Sequence, residues 1–461
     1  MSGHEWIQDS IFYQIFPDRF ENGDPGNDPP NVQPWGSMPT ELGFQGGDLR
    51  GIIERLYYLL DLGVNALYIN PIFLSPSNHR YNATDYFRID PKLGRIADFR
   101  TLLDVAHRNQ MHVILDGVFN HCGRGFFAFA DLLENQSASP YQDWFHVKRF
   151  PIDAYSPGDA TTYVGWWKFK SLPKFNTDNP MVRNDLMMVA RYWTEQNIDG
   201  WRLDVPNEID DDDFWAEFRK IVKNINHEAY ILGEIWDGNK HWVGDSHFDG
   251  LMNYPVRTLI LDLLNGKITA EFFVSHLNQH IHQYPVENAN AMYNMLSSHD
   301  TERALTMVGG SFQKTKLAYL ILFTLPGAPA IFYGDEIGLT GGKDPDCRKT
   351  FPWDESKWNN DLRLFIKDLI RIRKDEPSLR RGNINFAQTH IADGWITWSR
   401  QYENRECLIV INPSPTAKQA AIAVNRNGIY RNALGLEEFS AENQSMTVEL
   451  KPWSGMILRL K

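Results

Sequence analysis

Apolar residues recur along this chain with two alternating periods. Short runs rich in β-branched and aromatic residues read as strands: Ser10–Phe16, Ala66–Asn70, His112–Val118, Gly200–Val205, Tyr230–Glu234, Gly250–Asn253, Ala291–Ser297 and Ala328–Tyr333. Between them the spacing changes to that of amphipathic helices. Asp48–Leu62 carries Ile52, Ile53, Leu56, Leu59 and Leu60 on one face, and Ala97–Asn109, Asn179–Gln196, Asp212–Asn226, Phe312–Leu325 and Asn360–Arg373 follow the same rule. Strands that alternate with helices pair in parallel, because a parallel neighbour needs a long crossover. Eight such strands predict an α/β fold, a closed (β/α)8 or TIM barrel whose working face is the C-terminal end of its strands.

The pattern breaks twice. From Cys122 to about Lys174 periodicity fails among Trp144, Trp166, Trp167 and several Pro and Gly. So long an irregular stretch inside a regular series predicts a small inserted domain over 122–175, dividing the catalytic barrel into 1–121 and 176–380. Beyond residue 380 short strands return at Trp395–Arg400, Cys407–Asn412, Gln419–Val424, Ser445–Leu450 and Met456–Leu460. They predict a C-terminal antiparallel β-sandwich domain over 381–461.

Composition narrows the partners. Against 58 acidic residues stand 46 Lys and Arg, a formal charge of −12, which argues against nucleic acid or an anionic membrane surface. No apolar stretch is long enough for a membrane helix, and Met1-Ser-Gly-His-Glu has neither a basic region nor an apolar run, so no leader is expected. Cys122, Cys347 and Cys407 are too few for a disulfide framework and lack metal-ligand spacing, which fits a cytoplasmic enzyme. Fifteen Trp, 18 Tyr and 27 Phe exceed what packing requires, and flat rings bind the C–H faces of sugars.

Acidic residues at the strand exits carry the chemistry. In Gly200-Trp-Arg-Leu-Asp204 an Arg and an Asp two residues apart leave the same face of a strand. Alone, that is an ordinary structural ion pair. Glu234 ends a second apolar run and Asp300 follows a third, and with Asp116 these acids converge at the exits of strands three, four, five and seven. Two convergent carboxylates are what glycosidic cleavage needs, one to give a proton and one to act at the anomeric carbon. Arg202 would orient Asp204, while the apolar surroundings of Glu234 beside Trp236 favour a retained proton. His299 and His121 suit gripping ring hydroxyls. Separately, Asn22-Gly-Asp24-Pro-Gly-Asn27-Asp28, with Gly46-Gly-Asp48 further on, is either a plain turn or an oxygen-rich calcium loop.

DGVFNH (Asp116–His121), GWRLD (Gly200–Asp204), GEIW (Gly233–Trp236) and SHD (Ser298–Asp300) resemble the four signature regions of the α-amylase family, glycoside hydrolase family 13, in order and spacing. The resemblance spans essentially the whole chain. It implies Asp204 as nucleophile, Glu234 as general acid/base and Asp300 as transition-state stabiliser. It further implies contacts from Tyr81, His121, Arg202, His299 and Trp236, with Asp344 and Arg348 at the next sugar and Asn207 and Glu208 on the leaving-group side. Leu172-Pro-Lys-Phe-Asn176 is similar to a fifth signature of the neopullulanase, cyclomaltodextrinase and maltogenic amylase group. In that group Asn22, Asp24, Asn27, Asp28, Gly46 and Asp48 match a structural calcium site, and no organic cofactor is implied. The expected function is retaining hydrolysis of α-1,4-glucans: cyclomaltodextrins, maltooligosaccharides, and pullulan or starch. A 4-α-glucanotransferase using the same residues is the alternative, and a non-catalytic glucan-binding barrel a remote one. Two departures stand out. Pro206 replaces the Ala of the group's usual VANE, and the first strand begins near residue 10, where the group usually has an N-terminal, dimer-building domain. Dimer formation and the preference for cyclic or short substrates are therefore implied less directly than the chemistry, and the oligomeric state is left open.

Overall fold

The computed structural model describes residues 5–386 and 394–461; Met1–His4, part of the segment expected to hold no leader, lie outside the described residues. Eight parallel strands build the barrel: β1 (Phe12–Ile15), β2 (Ala66–Ile69), β3 (His112–Gly117), β4 (Gly200–Leu203), β5 (Tyr230–Gly233), β6 (Gly250–Leu251), β7 (Tyr293–Asn294) and β8 (Ala328–Phe332). They run in the order β6-β5-β4-β3-β2-β1-β8-β7, and a parallel bridge from Met252 to Tyr293 joins the two ends. Register decides what meets inside: Asp116 of β3 lies opposite Arg202 of β4. Gly200 is required there, since a Cβ would come within 2.3 Å of the Tyr230 carbonyl oxygen.

The barrel interior is a packed layer, not a channel. Phe12, Tyr68, Tyr230 and Tyr293 interleave with Ala66, Ala328 and Ala330, large against small, which lets side chains interdigitate without voids. A larger core fills the space between strands and the outer helices, which include α1 (Leu49–Leu62), α2 (Ile96–Arg108), α3 (Pro180–Glu195) and α4 (Asp212–Ile225). Local chemistry sets their ends: Asp48 and Asp211 accept from Gly51 N and Phe214 N, and Gly63 closes α1 in the left-handed region.

β6 and β7 are shorter than Gly250–Asn253 and Ala291–Ser297 suggested, and three helices between them, α5 (Tyr254–Leu264), α6 (Ala270–His282) and the short Val286–Asn290, escaped the periodicity reading. A Pro in its first turn starts α5 directly after the strand and limits the ladder. Six of its residues are buried, so no polar stripe reveals its period. Between β3 and α3 the chain makes its irregular excursion, holding helix Phe127–Asn135 and a core of Phe129, Phe145, Tyr163 and Phe175. Antiparallel bridges His121–Lys174 and Phe145–Phe175 tie its two ends.

The C-terminal region is antiparallel. A six-stranded sheet packs against the pair Lys418–Ala423 and Ser445–Leu450 over Leu408, Val410, Ile422 and Val448. Between barrel and sheet lies α7 (Phe312–Thr324), buried on all sides from Leu317 onward. Its C-terminal carbonyls, which an α-helix leaves unpaired, are met by two buried arginines. Arg373 of α8 (Asn360–Asp375) donates to Phe323 O at 2.7 Å and Gly327 O at 2.5 Å, and Arg400 of strand Ile396–Tyr402 donates to Thr324 O at 2.7 Å.

Just past β8, Glu336 is buried and accepts from Tyr13 Oη at 2.9 Å and Tyr58 Oη at 2.6 Å. Burial pushes its carboxyl up to about 7 from its ordinary 4.5. Below pH 4.5 the group is protonated in both folded and unfolded chains and costs nothing. Between 4.5 and 7 the unfolded chain ionises first, so stability falls as pH rises, by about 3 kcal/mol at 1.36 kcal/mol per pH unit. Glu336→Gln abolishes this decline. In urea unfolding at pH 4.5 and pH 8, the variant gains on the parent by about that amount at the higher pH; an equal difference at both pH values would contradict a protonated Glu336.

Candidate active site

Asp204, Glu234 and Asp300 meet at the C-terminal mouth of the barrel, as their strand-exit positions predict. Asp204 and Glu234 each lie one residue beyond a strand, yet the ladder still holds them: Asp204 N donates to Gly117 O at 3.0 Å and Glu234 N to Leu203 O at 3.1 Å. Both carboxylates therefore inherit the rigidity of the barrel wall.

Arg202 organises them. Fully buried, it meets Asp116 Oδ1 at 2.8 Å and Asp204 Oδ1 at 2.9 Å through Nη1, and Glu234 Oε1 at 2.7 Å through Nη2. The rings of Tyr68 and Tyr81 lie 5.9 and 5.8 Å from the guanidinium carbon. Burial pushes the carboxyls of both Asp204 and Glu234 above their ordinary values, while Arg202 opposes the rise in each. One cation facing three buried carboxyls cannot neutralise all of them, so Asp204 and Glu234 titrate as a pair that retains a proton. Glu234 Oε1 is ion-paired with Arg202 Nη2 and accepts from Tyr254 Oη at 3.3 Å; Oε2 accepts only from Val205 N at 3.0 Å. Oε2 is thus the oxygen with room for that proton.

Val205 makes its contact from φ +36°, ψ 51°, a left-handed conformation that a β-branched residue adopts only under constraint, at a cost of about 1–3 kcal/mol. Pro206 follows as the first residue of the 3-10 turn Pro206–Glu208, where its missing N–H costs no hydrogen bond. The departure from the group's pattern thus leaves Asp204 in line, and the unusual backbone lies one residue before the proline.

Asp300 is the most open of the three acids. His299 Nε2 lies 2.9 Å from its Oδ2 and Arg348 Nη2 3.1 Å from its Oδ1. Burial alone would raise its carboxyl; the His299 ring, Arg348 and Arg202 outweigh that and hold it well below the usual range. Gln14 Nε2 donates to Asn70 Oδ1 at 3.1 Å and to His299 Nδ1 at 2.8 Å, so the Nδ1 lone pair is occupied and Nε2 carries the proton. The Nε2–H faces Asp300 and, at 2.6 Å, Tyr81 Oη, whose own proton goes to Asp116 Oδ2 at 2.7 Å. Tyr81 also stacks on His299 with ring centroids 5.2 Å apart. Arg348 reaches on to Asp344 Oδ1 at 3.0 Å, joining the expected outer pair to Asp300.

The rim carries the remaining expected contacts. His121 is buried and neutral, its ring pushed down to about 3 by desolvation, and it stacks on Trp166, which stacks on the exposed Trp167. Asn207 is exposed, whereas Glu208 is tied to Lys174, whose Nζ donates to Glu208 O at 2.6 Å. Trp236, 51% exposed, lies face to face with Tyr254 at 3.9 Å. Tyr254 and Gln14 were not among the expected contacts, and Asp116, expected at the exit of strand three, had been given no partner there. Asp116 opens DGVFNH and faces Arg202 in register, a signal the sequence did carry; Tyr254 and Gln14 are neutral residues with no pattern of their own.

The oxygen-rich loop also converges. Asn22 Nδ2 donates to Asp28 Oδ1 at 3.0 Å, and a Cβ on Gly46 (φ +86°) would come within 2.4 Å of that oxygen. Asp48 is saturated by Gly23 N, Asp24 N, Asn27 Nδ2 and Gly51 N, while Asp24 turns to Gly26 N and Arg50. Among the described residues, Asn22 Oδ1 and Asn27 Oδ1 are shielded from solvent and accept no hydrogen bond.

Comparison with known proteins gives concordant results. The alpha amylase catalytic domain model matches residues 14–404. The chain is 42% identical to a cyclomaltodextrinase of Geobacillus thermopakistaniensis (98% of this chain, 77% of that protein) and 42% identical to neopullulanase 2 of Thermoactinomyces vulgaris (98% and 78%). Its fold matches the cyclic alpha-maltosyl-(1→6)-maltose hydrolase of Arthrobacter globiformis, solved in complex with that compound, with a TM-score of 0.91, 39% identity and 100% coverage of both chains.

Arg202→Met leaves three carboxylates buried without their cation. Breaking a buried ion pair from one side costs about 3–5 kcal/mol, so urea unfolding at pH 7 finds the variant weaker by that order. The deficit narrows as pH falls towards 4 and the orphaned acids protonate; a loss that stays constant with pH would mean that Arg202 acts by packing alone.

Proposed function

The chain belongs to the α-amylase family, and from that premise we propose that it is a retaining hydrolase of short and cyclic α-1,4-glucans, with Asp204 as nucleophile, Glu234 as general acid/base and Asp300 as stabiliser of the distorted sugar. It is a glycoside hydrolase of the cyclomaltodextrinase, neopullulanase and amylase type. The observation that carries the finer reading is Arg202, whose single guanidinium binds both Asp204 and Glu234 and so fixes a nucleophile and a proton donor on one mount. End-to-end similarity to a hydrolase of cyclic alpha-maltosyl-(1→6)-maltose supports small, ring-shaped α-glucosides as substrates.

In this mechanism Glu234 Oε2–H protonates the glycosidic oxygen while a carboxylate oxygen of Asp204 bonds to the anomeric carbon and the C–O bond to the leaving sugar breaks. Arg202 stays on Asp204 Oδ1 as the carboxylate spends its charge. Glu234, now ionised, takes a proton from water; the water oxygen attacks the anomeric carbon, the ester bond breaks, and configuration is retained overall. Asp300, held ionised by His299 and Arg348, accepts hydrogen bonds from two ring hydroxyls that strengthen as the ring flattens. Transfer to a sugar hydroxyl is the competing outcome, and half-exposed Trp236 stacked on Tyr254 favours it by offering an acceptor an apolar face. A cytoplasmic setting belongs to this reading, supported by three buried thiols with no disulfide.

A structural calcium ion belongs to it as well. Buried, unpaired Asn22 Oδ1 and Asn27 Oδ1 beside Asp28 and the tight Gly46 turn make a hard-oxygen donor set. In this reading Asn22, Asn27 and Asp28 give side-chain oxygens and Gly46 its carbonyl, while Asp24 and Asp48 shape the loop.

Asp204→Asn reduces turnover of cyclomaltodextrin by about 10⁴-fold while quenching of Trp fluorescence by maltooligosaccharide survives; turnover close to the parent's rejects Asp204 as nucleophile. With maltotriose the parent yields glucose and maltose, whereas longer oligosaccharides at early times make it a transferase. Chelator treatment lowers the melting temperature by several degrees, calcium restores it, and Asn22→Ala removes the response; melting unchanged by chelator rejects the ion.

A further inference from the structure

Away from the three acids, the segment that leaves Trp236 folds back onto the first turn of α4 and brings together a second chemical cluster. Asp212 Oδ1 lies 3.0 Å from His241 Nε2 and 2.9 Å from His247 Nε2. The three donor atoms all fall within 4.8 Å of one another. Two imidazole nitrogens and one carboxylate oxygen that converge like this suit a borderline divalent cation.

Each histidine is held by its surroundings. His241 sits in the 3-10 turn Lys240–Trp242, which is capped by Asn239. His247 is 6% exposed, and its backbone N–H bonds to Gly244 O while a bridge from Val243 to Phe248 closes the loop behind it. Ser246 Oγ is 3.0 Å from His247 Nδ1, so the other ring nitrogen is oriented by a partner, the arrangement that directs Nε2 at a metal. Trp242 packs edge-on against both rings, with centroids 5.0 Å and 5.7 Å away. Asp212 stands in the run Asp210-Asp-Asp-Asp213, whose negative charge offsets the unfavourable field of the helix N-terminus for a cation.

We propose that Asp212, His241 and His247 form a site for Zn2+ or a similar divalent transition metal, distinct from the calcium loop and from the catalytic acids. Soft nitrogen donors separate it from the all-oxygen loop around Asn22. Half-exposed Asp212 and His241 leave the outer coordination positions to water. A metal there would clamp the segment after Trp236 to α4, the helix that follows the Asn207–Glu208 turn, and so tie together two stretches that border the leaving-group side.

Co2+ serves as a spectroscopic stand-in for Zn2+. Titrating Co2+ into the full chain produces a visible d–d band that saturates at one equivalent and is displaced by Zn2+. His241→Ala and Asp212→Asn, both at half-exposed positions and each judged folded by circular dichroism, lose the band, while His276→Ala keeps it. Zn2+ at about a hundredfold excess over Kd raises the parent's melting temperature by about 2–4 °C and leaves His241→Ala unmoved. A parent without a band, or a band that persists in the double variant His241→Ala/His247→Ala, overturns the site.

Discussion

Everything at the barrel mouth depends on one buried guanidinium. Arg202 has no water to solvate it and faces three carboxylates that are nearly as buried. Removing charges from water is expensive, and the mutual attraction of these groups compensates only while the geometry holds. Each strand therefore contributes a constraint: β3 brings Asp116 into register, β4 brings Arg202 and Asp204, and β5 brings Glu234. The same economy explains why the acids can react. Three carboxylates compete for one cation, so it cannot neutralise them all, and the carboxyls of Asp204 and Glu234 stay above their ordinary range. The strain at Val205 fits this account, since the left-handed turn delivers a backbone N–H to Glu234 without bringing a further charge.

Two other buried arginines show what is special about the first. Arg373 and Arg400 are equally inaccessible, yet the groups named for them are backbone carbonyls at the end of α7. Neutral dipoles there satisfy a cation and close a helix at once, joining barrel to C-terminal sheet. Buried charge is met by carbonyls at the end of α7 and by carboxylates at the barrel mouth.

The barrel and its acids were legible because each is written locally. Strand runs alternate with amphipathic stripes, and Asp204, Glu234 and Asp300 each close an apolar run beside a second recognisable residue. Helix α5 was illegible because burial on most sides erases the stripe that marks a helix. Tyr254 and Gln14 were illegible for another reason: a neutral side chain acquires its role only from what the fold brings beside it. Pro206 attracted notice as a departure, whereas the strained residue is Val205, and no sequence pattern encodes a positive φ for valine. The oxygen-rich loop was half legible. Its oxygens could be counted, but only the fold distinguishes Asp48, already saturated by four N–H donors, from Asn22 and Asn27, which have oxygens to spare.

That distinction bears on how this scaffold can vary its chemistry. Asp204 and Glu234 are placed by backbone ladder hydrogen bonds that any side chain would leave intact, so the barrel wall sets their positions whatever their chemistry. The leaving-group side is built differently. Trp236 is held by stacking on Tyr254, and the Tyr254 hydroxyl reaches Glu234 Oε1 at 3.3 Å. In the proposed reaction a sugar acceptor resting on Trp236 would bear on the residue that hydrogen-bonds Glu234. In that reading acceptor binding and the proton affinity of Glu234 share one tyrosine. Selection between water and sugar can thus act through Trp236 and Tyr254 while Arg202 and its carboxylates stay in place.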